Sequence, residues 1–134
     1  MEEKKKAWWS AAADDPVILH ATSAAAAWVA ASDGEAHLSE QQKFSRWLIE
    51  SPLELPTQAR LIDQYKGFCK GLLNNYDTTI REIKNLIRAA QSAGLVRQLV
   101  LAAARALVVA DERIDDREEV VLREICELID LPHD

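Results

Sequence analysis

Glycine and proline are scarce in this chain, four of each in 134 residues, while alanine is abundant and β-branched side chains are few. With 49% hydrophobic residues, that balance argues for an ordered, helix-rich globule. Cysteine is scarcer still. Cys69 and Cys126 fall at helical core spacing with no C-x-x-C partner, so two buried thiols in a reducing compartment are expected rather than a disulfide framework. No apolar run is long enough to cross a membrane; the least polar, Pro16 to Ser32, spans 17 residues between aspartates. Glu2 and Glu3 precede Lys4, Lys5 and Lys6, and Asp14 and Asp15 cut short any apolar core behind them, so no signal peptide is expected.

The motifs of common catalytic sites are missing as well. There is no G-x-S-x-G, no phosphate-cradling glycine loop, no H-E-x-x-H and no Glu-x-x-His pair of the di-iron type. His20 has no second histidine or cysteine at coordinating spacing and reads as a hydrogen-bonded histidine at the core edge. These absences point to a protein that binds rather than one that catalyses.

What the chain has is an uneven charge. The net −6 divides into +1 over residues 1–13, −5 over 14–58, +5 over 59–110 and −7 over 111–134. Phosphate-backbone binding needs a concentrated basic face, so nucleic acid is not the expected partner.

The acidic segments carry a pattern written twice. An alanine-rich apolar run ends at Asp33, a short acidic loop comes next, and Glu40 stands seven residues after the aspartate; a second run ends at Asp111, with Glu118 at the same distance. Measured instead from the expected caps, Ser39 matches Asp115, and the first loop is two residues longer. The repeat suggests two helical halves, about 16–75 and 78–131, packed face to face because neither buries its apolar surface alone. If the loops meet, Asp33, Glu40, Asp111, Asp115 and Glu118 form a carboxylate cluster. Such a cluster is either a site for a hard divalent cation, with Ca²⁺ or Mg²⁺ favoured, or a negative docking surface without metal. Helix dipoles and capping also favour acids at helix starts without metal. An EF-hand is excluded, since its central glycine and final glutamate would fall on Leu38 and Phe44, or on Asp116 and Leu122.

Read in order, residues 1–13 form an arm or short helix whose Trp8 and Trp9 are expected to dock back on a single domain at 14–134. Asp15-Pro16 opens a buried first helix that runs to about Ser32, with Gly34 as its C-cap. Ser39, with Gln42, caps a second helix that runs to Glu50. Pro56 opens a third, whose stripe includes Leu61, Ile62, Tyr65, Phe68, Cys69, Leu72, Leu73 and Tyr76. Asp77 to Thr79 cap a fourth, closed by Gly94, with Lys66, Lys70, Arg81, Lys84 and Arg88 on outer faces. A fifth apolar helix spans about Leu95 to Ala110, and Asp115 caps a sixth that ends at Pro132. The expected fold is therefore all-α, a bundle of about six to seven helices with an internal pseudo-twofold repeat.

From Pro16 to Leu131 the chain resembles the TerB family of bacterial tellurite-resistance proteins. The residues that carry the likeness are Ala-Ala-Ser-Asp33-Gly34 followed by Ser39-Glu40, Val-Val-Ala-Asp111 followed by Asp115-Asp116 and Glu118, and Arg123-Glu124-Ile125. Glu112 stands where the family pattern has glycine. The resemblance implies an all-helical bundle with a pseudo-twofold repeat and an acidic cluster, at Asp33, Asp111 and the carboxylates after them, that takes a divalent cation. It further implies a non-enzymatic stress-response module in the cytoplasm, working with partner proteins and associating peripherally with the inner face of the membrane. A metal-free interaction scaffold with an acidic docking face is the alternative.

Overall fold

The computed structural model describes residues 12, 15–32, 38–108 and 116–132, with the side chain at 95 excepted. Six α-helices and one 3-10 segment occur among them: α1 (Pro16–Ala30), α2 (Leu38–Ile49), α3 (Leu55–Asn74), α4 (Tyr76–Ala90), the 3-10 segment Gln91–Arg97, α5 (Gln98–Ala106) and α6 (Asp116–Leu128). The all-helical bundle expected from the sequence is what the chain forms. Trp8, Trp9, Gly34 and the other arm and loop positions singled out above lie outside the described residues; Ala12 of the arm is fully buried.

The middle of the bundle is α1. Asp15 caps it, its carboxylate accepting from the backbone N–H groups of Val17 at 3.0 Å and Ile18 at 3.3 Å, and Pro16 occupies the first turn. Nearly every residue from Ile18 to Ala30 is buried, with His20 half-buried, because α1 packs against α3, α4 and α5 at once. Ala21, Ala24, Ala25, Ala26 and Ala27 are each fully buried and let those neighbours come close. Its buried hydroxyls are satisfied within the structure. Thr22 donates to the Ile18 carbonyl at 2.7 Å, while Ser23 reaches the Leu19 carbonyl and the Gln64 side chain. His20 packs its ring on Phe68, centroids 5.3 Å apart, and makes no hydrogen bond among the described residues, contrary to expectation.

The surrounding helices each turn one apolar face inward. Phe44 stacks on Tyr65 at 5.0 Å and joins α2 to α3; Ile83 and Ile87 come from α4, and Val121, Leu122 and Ile125 from α6. Cys69 and Cys126 are both buried.

Several boundaries depart from the sequence reading. Helix α1 ends at Ala30, before Gly34. Helix α2 begins at Leu38, so Ser39 lies inside it and donates its hydroxyl to the Glu40 carboxylate at 3.1 Å, a charged acceptor one residue away. Asp77 does not cap α4. The reversal from α3 to α4 takes place at Asn75 alone, which ends one helix and opens the other, so Tyr76 begins α4 and is exposed instead of continuing the α3 stripe. Leu73, at the end of that stripe, is also exposed. Gly94, at φ 65° and ψ −135°, breaks the segment between Ala90 and Gln98, a backbone conformation that suits glycine, so α5 starts later than Leu95.

The tight reversal at Asn75 sets the first turn of α4 on the last turn of α3. A Cβ at Gly71 would lie 2.5 Å from the Thr79 hydroxyl oxygen, and Thr79 is itself buried. Alanine gains about 1 kcal/mol over glycine in helix propensity, whereas overpacking costs about 1–3 kcal/mol. Gly71→Ala is expected to lower the unfolding midpoint, and adding Thr79→Ala to restore most of the loss, in a double-mutant cycle followed by circular dichroism.

The end of α6 is a Schellman turn: Leu131 N–H donates to the Cys126 carbonyl at 2.9 Å and Asp130 N–H to that of Glu127 at 3.3 Å, with Asp130 at φ 56°. A left-handed backbone costs an L-residue about 1–2 kcal/mol. Asp130→Gly is expected to stabilise the protein by about 1 kcal/mol in denaturant melts.

Tyr65 is 2% exposed, and its hydroxyl meets no hydrogen-bond acceptor of good geometry; the weak thiol of Cys69, one turn on, is its polar neighbour. Removing an unsatisfied buried hydroxyl without changing shape is close to neutral or favourable. Tyr65→Phe is expected to melt at or above the wild-type temperature, whereas Tyr65→Ala, which opens a cavity, should lose about 3–5 kcal/mol.

Candidate functional site

Of the five carboxylates read as a cluster, the structure describes Glu40 and Glu118; Asp33, Asp111 and Asp115 lie outside the described residues. Glu40 sits half-buried in the first turn of α2, and its charge reaches across to α3. Burial pushes the Tyr65 hydroxyl well above its ordinary value, with the Cys69 and Glu40 charges adding to it. Burial likewise drives the Cys69 thiol up to about 11, with the nearby Tyr65 hydroxyl opposing that rise and the Glu40 charge adding to it. Cys69 is therefore a protonated thiol near neutrality and a poor nucleophile.

Glu118 is half-buried in the first turn of α6, which also holds Asp116 and Glu119. Acids at that end of a helix are stabilised by its dipole and unpaired N–H groups. Among the described residues no three histidine, cysteine, aspartate or glutamate side chains converge in a metal-holding group. Glu40 and Glu118 do not make such a group unaided.

The flanks of the two acidic loops are nevertheless brought together. Ser32, the last described residue before the first loop, and Asp116, the first after the second, line one groove of about 320 Å³ with Trp28, Tyr76, Lys84, Val120 and Glu124. Its wall is built from α1, α4 and α6. Ser32 is held by its hydroxyl donating to the Val29 carbonyl at 2.7 Å. Lys84 was expected on a solvated outer face. It is instead half-buried, with its ammonium 5.7 Å above the Trp28 ring and 3.6 Å from the Glu124 carboxylate. Charge pattern alone could not have revealed this, because Trp28 and Glu124 are 56 residues before and 40 residues after it in the chain. On another side, the Lys43 ammonium of α2 donates to the Leu107 carbonyl at 3.2 Å, completing the C-terminal turn of α5 just ahead of the second loop.

One described flank of each loop, Ser32 and Asp116, thus lines the same groove, and α2 is tied to the C-terminal turn of α5. No helix among the described residues is long and apolar enough to cross a membrane. A family model described as tellurite resistance protein TerB matches residues 19–134. No curated protein and no solved structure matches the chain. Nearly the whole length is covered by that match, and the all-helical bundle agrees with it: this chain belongs to the TerB family.

Proposed function

We propose that this protein is a non-enzymatic module of the tellurite-resistance, stress-response type that binds a divalent cation through its acidic inter-helix loops. The observation that carries the reading is the groove shared by Ser32 and Asp116, the residues flanking the two loops. Aspartates and glutamates delivered to one end of a bundle repel each other, and a hard cation with oxygen ligands relieves that repulsion. Asp33, Glu40, Asp111, Asp115 and Glu118 are the proposed ligands, and Ca²⁺ or Mg²⁺ the proposed ion. Binding would tie the end of α1 to the start of α6 and change the surface offered to a partner. The partners are other proteins of a stress-response assembly, met in the cytoplasm and at the inner face of the membrane.

A second reading has its own support. The acids at the start of α6 are stabilised by the helix terminus without any ion, and Glu40 already accepts from Ser39. On that reading the acidic end is a metal-free docking face for a basic patch on a partner.

Thermal unfolding separates the two. Metal-stripped protein is titrated with Ca²⁺ or Mg²⁺ beside the Asp33→Asn/Asp111→Asn variant. A native-state ligand at about 100 times its dissociation constant adds about 2.7 kcal/mol. The cation reading expects a midpoint rise in the wild type that the variant lacks. No rise with any ion leaves the docking face, and the same variant is then expected to weaken partner capture with no cation effect on stability.

A further inference from the structure

Exposed apolar side chains scattered singly over a surface need no explanation, but two on the rim of one groove do. Tyr76, which opens α4, and Val120, in the second turn of α6, are 54% and 56% exposed. Both line the groove of about 320 Å³ that Ser32 and Asp116 share, with the buried Trp28 and Val121 beneath them. Valine at an exposed helical position gains nothing from the helix itself, because its branched side chain loses rotamer freedom there. Lys84 already lies over the Trp28 ring, which leaves Tyr76 and Val120 as the apolar contacts open to a visitor.

The charges of the groove are engaged with one exception. Lys84 and Glu124 pair with each other at 3.6 Å, and Arg117 has a partner of its own. Asp116, exposed in the first turn of α6, makes no hydrogen bond or ion pair among the described residues. The charge left free is therefore negative, which repels an anionic bilayer and favours a cationic group on whatever docks. A small ligand is held by burying most of its surface, whereas the rim residues here stand more than half in solvent. Such a shallow apolar groove between two helices suits the apolar side chains along one face of a third.

We propose that this groove docks an amphipathic helix of a partner protein, its apolar side chains between Tyr76 and Val120 and a lysine or arginine beside Asp116. The docking-face reading of the acidic end, on which this rests, supplies the partner's basic character; the groove adds its apolar half.

The probe is a dye-labelled synthetic peptide of about 18 residues, alanine-rich, with leucines at steps of three and four on one face and lysines on the other. Its binding to the full-length protein is followed by fluorescence anisotropy at low salt. One control peptide carries glutamate for every lysine, and another glutamine for every leucine. Expected is saturable binding of the first peptide and much weaker binding of the other two. Tyr76→Ala should weaken it about tenfold and Val120→Ser about threefold. Asp116→Asn should weaken it less, by an amount that fades as salt is raised. Ile49→Ser, which removes an exposed apolar side chain outside the groove, should leave it unchanged. Folding of each variant is checked by circular dichroism, and if one groove variant does not fold the others carry the comparison.

The proposal is overturned by no binding at about 1 mM protein, by groove variants that bind as tightly as the wild type, or by the glutamine peptide binding as well as the first. Self-association in sedimentation that Val120→Ser abolishes also overturns it, in favour of a second copy of this chain. Loss of binding in the Asp33→Asn/Asp111→Asn variant, with the groove variants unaffected, overturns the groove and keeps the docking-face reading. The reverse pattern keeps the groove and removes that reading.

Discussion

Close packing around an alanine-rich helix is the constraint on which the rest of this structure depends. A helix buried on all sides must satisfy its own polar groups and admit several neighbours at short range. Helix α1 does the first through its backbone ladder, the Asp15 cap and the back-bonded hydroxyls of Thr22 and Ser23. It does the second by carrying alanine where leucine would hold neighbours apart. Interiors packed to crystal-like density accept little change in side-chain volume, so α3, α4 and α5 are placed by what α1 leaves room for. The bare backbone at Gly71 extends the same economy to the contact between α3 and α4.

That arrangement decides where chemistry can occur. Because α1 runs through the centre, its C-terminal end emerges beside the start of α6, and Ser32, before the first acidic loop, shares a groove with Asp116, after the second. The flanking helices supply different surroundings at different depths. Glu40 acts on a buried hydroxyl and a buried thiol, whereas Glu118 stands at a helix terminus that favours its charge. Lys43, Arg46 and Arg105, from α2 and α5, line a separate groove with Glu50. Burial keeps the Cys69 thiol protonated near neutrality, which makes it a poor nucleophile.

Much of the fold was legible because its signals are local and strong. The Asp15-Pro16 start, the all-round apolar face of α1, and the three-and-four spacing of Leu61, Tyr65, Phe68, Cys69 and Leu72 each come from the geometry of one helix. The failures cluster at helix ends. Ser39 and Asp77 both look like caps, yet each lies inside its helix, because neighbouring residues already hold helical backbone. Tyr76 continued an apolar stripe by count, but a reversal confined to Asn75 placed it in the next helix and in solvent. Cap residues are interchangeable over a few positions, and packing of the flanking elements chooses among them.

Residue types and spacing by themselves determined the helical class, the central burial of α1, the paired acidic loops and the family resemblance, since composition and periodicity act within one element. Only the tertiary structure decided that Ser32 and Asp116 line one groove, that Lys84 lies over Trp28 beside Glu124, and that Arg46 and Arg105 face another. Each of these joins residues tens of positions apart. Such meetings depend on how several helices divide the space around α1, a property of side-chain volumes taken together that no single stretch of sequence contains.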